Sequence, residues 1–111
     1  MAYDPHLARR LRDALGDRPG LTEKAMFGGV AFLRDGRMFA GVNGADVMAR
    51  VGKPHHDTWA SHPAARPMDF TGRPMAGYLY VRPDGLTDAD LTRWLDHCWA
   101  FVGTLEAPRP R

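Results

Sequence analysis

Two short turn signals, Asp35-Gly36 and Asn43-Gly44, stand eight residues apart between runs that alternate apolar and polar side chains. Pairs of this kind supply the positive φ angles that two-residue hairpin turns demand. Residues 30–34, 37–42 and 45–51 are therefore predicted as consecutive antiparallel strands, a meander. In the last of them Val47, Ala49 and Val51 fall on one face, and Met48 and Arg50 on the other. Residues 24–27 add a short strand in front, interrupted by Gly28-Gly29. A strand, not a helix, follows those glycines, so they read as a bend allowing close backbone approach and not as a phosphate loop.

Helical spacing brackets the meander. Asp4 is placed to cap a helix opening at Pro5, with Leu7, Leu11, Ala14 and Leu15 on one face and Gly16 as its stop. Past Gly52, residues 55–61 suit a short helix anchored by Trp59, and residues 66–70 and 76–81 suit two more strands. In the latter, Leu79 and Val81 point one way and Tyr78 and Tyr80 the other. Thr87, with Asp90 three residues on, opens a last helix whose apolar stripe runs Leu91, Trp94/Leu95, Cys98, Phe101/Val102 and Leu105. The order is α, three or four strands, short α, two strands, long α. It predicts an α+β, two-layer fold with a mainly antiparallel sheet and helices on one face. A chain of 111 residues suits one domain, taken as residues 1–106 with a short Pro/Arg tail at 107–111.

Composition narrows the function classes. With 44% hydrophobic and 25% charged residues the chain is expected to fold, and one cysteine excludes an internal disulfide framework or a multi-thiolate zinc site. No apolar run approaches the length of a membrane span and no signal-peptide pattern opens the chain, so a cytoplasmic protein with no membrane partner is expected. Thirteen of the 15 basic residues are Arg, but acidic residues are interspersed and the net charge is only +2. Nucleic acid is thus the alternative partner, through Arg9, Arg12, Arg109 and Arg111, and is not favoured.

The segments Met26-Phe27-Gly28-Gly29-Val30-Ala31-Phe32 and Gly36-Arg37-Met38-Phe39-Ala40-Gly41-Val42 resemble the N-terminal domain of the TfoX/Sxy family of bacterial competence regulators. So do residues 48–52 and 67–78, and the last helix with Leu91, Trp94, Phe101 and Leu105. The resemblance spans about residues 7–105 and implies a secretion-chaperone-like order, α-β3-α-β2-α. Full-length regulators of the family carry a further C-terminal domain for which no residues remain, so a stand-alone form is expected. The family brings no established catalytic residues and no cofactor.

Candidate sites follow. Arg50, Asp69, Arg73, Tyr78 and Tyr80 offer interface chemistry, the segment 69–78 being a recognition loop or a structural turn. In the structural reading Asp69 pairs with Arg50 or Arg73, and Arg50 is expected to be half-buried and paired with a carboxylate. Cys98 and His97 diverge on their helix, which points to a packed thiol and not a nucleophile. His55, His56, Asp57 and His62 lack metal-ligand spacing and read as exposed polar residues. The function that results is a non-catalytic regulatory or protein-interaction module, linked through its family to transcription control. Its partner is an unidentified protein or a second copy of the chain, with an enzyme of unrecognised site ranked last.

Overall fold

The computed structural model describes residues 3–26, 28–68 and 75–105. Asp69, Phe70, Arg73 and the tail at 107–111 lie outside them. Helix α1 (Pro5–Leu15) starts where the Asp4 carboxylate accepts from His6 N at 2.8 Å and Leu7 N at 3.4 Å. It stops at Gly16, whose φ of 60° and N–H to Arg12 O close the last turn. Its buried side chains, Leu7, Ala8, Leu11 and Leu15, form one stripe.

Strands β1 (Leu21–Met26), β2 (Gly29–Arg34), β3 (Arg37–Asn43) and β4 (Asp46–Arg50) make the meander. A 3-10 turn (Lys53–His55) and the short helix α2 (His56–Ala60) lead to β5 (Ala65–Pro67) and β6 (Tyr78–Val81). The sheet is antiparallel throughout, in the order β1-β2-β3-β4-β6-β5. The chain belongs to the predicted α+β class, and four strands stand before α2 where the resemblance implied three. β1 starts at Leu21, earlier than its residues suggest, because it is an edge strand whose middle is exposed on both faces and so shows little apolar alternation.

The first hairpin turn is the expected Asp35-Gly36, with φ of 51° and 85°. The second is displaced by one residue. Asn43 pairs with Asp46, so Gly44-Ala45 forms the loop, and Gly44 takes the positive φ at its first central position. β6 begins at Tyr78 and not at residue 76, because Tyr78 N closes a turn onto Met75 O at 3.1 Å. Between β2 and β3 the register shifts after Phe32, leaving Phe39 as the extra residue of a bulge. That shift lets Phe39 and Ala40 both join the core beneath the helices.

Helix α3 (Asp88–Gly103) opens with a reciprocal capping box between Thr87 and Asp90. Leu91, Leu95, Cys98 and Val102 are each at most 1% exposed and pack against α1 and the sheet. Each buried leucine stabilises the fold by about 1.5–3 kcal/mol relative to exposure. Among the described residues no helix is long and apolar enough to cross a membrane.

Helices on one face alone, as the sequence predicts, would leave Met48, Tyr78 and Tyr80 uncovered on the other. That face carries instead a second, smaller core of Met48, Met68 and Tyr80, edged by Met38 and Tyr78. Met48 is fully buried because Gly41 opposite it has no side chain; a Cβ there would come within 2.6 Å of the Met48 methyl carbon.

Candidate functional site

The end of β4 and the entry to β6 meet in a close backbone crossing built on two glycines. Val51 N and Gly52 N both donate to Gly77 O, at 2.9 and 3.1 Å. A Cβ on Gly77 would sit 2.9 Å from Lys53 N, and one on Gly52 would run into the Phe101 ring. Gly52 and Gly77 have positive φ, 92° and 88° respectively, which L side chains avoid.

Two histidines brace the crossing. His56 Nδ1 accepts from Gly77 N at 2.9 Å. His97 Nε2 lies 2.9 Å from Val51 O, and since a carbonyl only accepts, that nitrogen carries the proton. The His97 ring packs against Trp59 at 4.5 Å and edge-on to His55 at 4.9 Å, and Trp59 meets Trp94 at 4.6 Å. The expectation of exposed histidines therefore holds for His55 alone. His56 and His62 are half-buried, the latter with its Nδ1 accepting from Ala64 N at 3.0 Å. Their partners are backbone amides, one of them 21 residues away, which local spacing does not reveal. No group of metal-ligating side chains occurs among the described residues.

Against this crossing lies a groove of about 430 Å³ lined by Arg50, Gly52, Lys53, Pro54, Ala76, Gly77, Tyr78, Phe101 and Leu105. Arg50 and Tyr78 are register partners on β4 and β6. The guanidinium lies 5.6 Å from the Tyr78 ring centroid and donates to Met38 O at 3.3 Å. No carboxylate reaches Arg50 among the described residues. Tyr80 points to the same face but is only 9% exposed and lies beneath Arg66, 4.8 Å from its ring centroid. Of the five candidate residues, then, Arg50 and Tyr78 are brought together at the groove, Tyr80 is buried beside them, and Asp69 and Arg73 fall outside the described residues. Lys53, Pro54, Phe101 and Leu105 were missed. The signal that marks them is the pair of glycines, Gly52 and Gly77, which admits the α3 ring and the Lys53 backbone.

A larger hollow of about 540 Å³ lies between α1 and β1, lined by Arg12, Glu23, Leu21 and Phe32 among others. Two of its charged residues are spent on each other. Arg12 holds Glu23 through two bonds, 2.8 and 2.9 Å, and this contact keeps the Glu23 carboxyl below its ordinary value. Of the arginines set aside for nucleic acid, Arg12 is thus neutralised, Arg9 is exposed on the same helix, and Arg109 and Arg111 lie outside the described residues. Cys98 is fully buried, and desolvation pushes its thiol well above the ordinary range, in keeping with packing.

Three helices packed on one face of a six-stranded antiparallel sheet, with a groove where the last helix crosses the β4–β6 junction, define a two-layer α+β domain. The profile of the TfoX N-terminal domain family matches residues 13–102, and the chain belongs to that family. This domain is associated with regulators and is not known as catalytic. No curated protein and no solved structure matches the chain.

Proposed function

We propose that the chain is a non-catalytic regulatory module that binds a partner protein through the groove beside Arg50 and Tyr78. The observation that carries this reading is the groove itself: an arginine and a tyrosine side by side, over Phe101, Leu105 and Pro54, on a crossing locked by backbone hydrogen bonds. Aromatic residues and Arg are the side chains that interface centres favour, and a rigid frame lowers the entropy lost on binding. Nucleic-acid binding has less support, because Arg10, Arg12, Arg18, Arg66 and Arg93 already face carboxylates of the chain. A link to transcription control is proposed on the family resemblance alone, with nothing in the groove behind it.

A photo-crosslinking residue at the exposed, groove-lining Ala76, with one at exposed Lys24 as control, tests the reading in extracts of the source cells. Support is a protein captured from position 76 alone that, once identified and purified, rebinds the parent chain but not Arg50→Ala or Tyr78→Ala. Capture of a second copy assigns the groove to a homodimer. Equal labelling from both positions, or none, refutes the reading.

A further inference from the structure

We infer that the segment seated in this groove is acidic: an apolar anchor side chain of a partner protein flanked by carboxylates. The inference rests on the protein-binding reading above and adds the chemistry of the ligand.

Backbone pairing is already used up at the site. Gly77 O takes two amides, Gly77 N is held by His56, and Gly52 O takes His55 N at 3.1 Å. A strand added by main-chain bonds finds no open edge at this crossing, so recognition falls to side chains. Those side chains divide by chemistry. Phe101, Leu105, Pro54 and Ala76 offer an apolar floor that fits one Leu or aromatic anchor. Arg50 and Lys53 stand at the same groove, and neither meets a carboxylate among the described residues, whereas five arginines elsewhere do, at 2.6–3.4 Å. Arg50 gives one hydrogen bond to Met38 O and is oriented by the Tyr78 ring. A guanidinium has five N–H donors in a planar fork, so it retains the geometry for a bidentate carboxylate. An apolar floor beside two cations that meet no carboxylate among the described residues is complementary to an acidic, apolar peptide and repels a basic one.

The test uses the full chain and short fluorescent synthetic peptides, acetylated and amidated, each carrying one Leu, Phe or Trp flanked by Asp or Glu. A matched set replaces the acids with Asn or Gln, and another with Lys. Fluorescence anisotropy is expected to show binding by acidic members, weakened about tenfold by the amide replacements and by Arg50→Gln. Lys53→Gln is expected to weaken it about threefold, as a rim charge does, and high salt to weaken it further. Lys24→Gln, the same charge change on β1, is expected to leave it unchanged. Lys53→Gln carries the test should Arg50→Gln fail to fold by circular dichroism. Equal binding of acidic and amide peptides, both lost in Phe101→Ala, overturns the acidic inference and leaves the groove reading standing. No binding by any peptide overturns it too. So does self-association, seen by sedimentation, that Arg50→Gln abolishes, since the occupant is then a second copy. Tighter binding of a fluorescent oligothymidylate through the same two residues reassigns the cations to nucleic acid and likewise overturns the inference.

Discussion

A methyl group added at Gly77 would press on backbone, not on side chains that can turn aside: it lies 2.9 Å from Lys53 N and 3.0 Å from Gly52 C. Gly77→Ala therefore carries two costs. The φ of 88° costs an L-residue about 1–2 kcal/mol, and relief of the collision adds about 1–3 kcal/mol. Gly36 supplies the comparison, because its φ of 85° is nearly the same and nothing lies within 4 Å of its added Cβ. Gly36→Ala is expected to lose about 1–2 kcal/mol and Gly77→Ala about 2–5 kcal/mol. At roughly 4 °C per kcal/mol for a chain of this size, melting falls by about 4–8 °C and about 8–20 °C respectively. Thermal and urea unfolding followed by circular dichroism measure both. Equal losses in the two variants would mean that the close approach of Gly77 to residues 52 and 53 is absent, and the framing of the groove would fall with it.

Two further expectations concern titration and reactivity. Arg12 lowers the folded-state value of Glu23 below 4.5, so in the window between the folded and unfolded values the unfolded chain binds more protons. Its contribution is present above pH 4.5 and is lost as pH falls through the folded value; because the pair is exposed it amounts to under about 1 kcal/mol. Urea titrations of Glu23→Gln across pH 3–6 check this, and an unchanged pH slope refutes it. Cys98 is expected to resist a thiol reagent in the native chain and to react at the rate of unfolding when urea is added, since it is fully buried. Rapid labelling of the native protein contradicts that burial.

Local signals carried most of the secondary structure. Asp4 and Thr87 cap helices with side-chain oxygens that reach only two or three residues onward, so a short window of sequence contains the whole interaction. The Asp35-Gly36 turn is legible for the same reason. The Asn43-Gly44 signal misplaced its turn because either residue tolerates the tight loop, and cross-strand pairing of Asn43 with Asp46 decides between them. What distant contacts determine was not legible. Met48 reads as a surface residue until Gly41 is set opposite it, and His56 reads as exposed until residue 77 returns to meet it. The groove was half visible: Arg50 and Tyr78 stand in segments that resemble the family, whereas Phe101 and Leu105 look like ordinary members of a helical stripe. Only the empty space at Gly52 turns the Phe101 ring into a wall.

Helix α1 and the residue just past it are stitched to the start and middle of α3. Arg10 on α1 reaches Leu86 O and Asp88, 76 and 78 residues onward, and Arg18 reaches Asp96 across another 78. During synthesis, therefore, the leucines of α1 emerge well before α3 and wait for it. A product cut short before residue 91 would leave Leu7, Leu11 and Leu15 without their lid, a ready mark for chaperones and proteases.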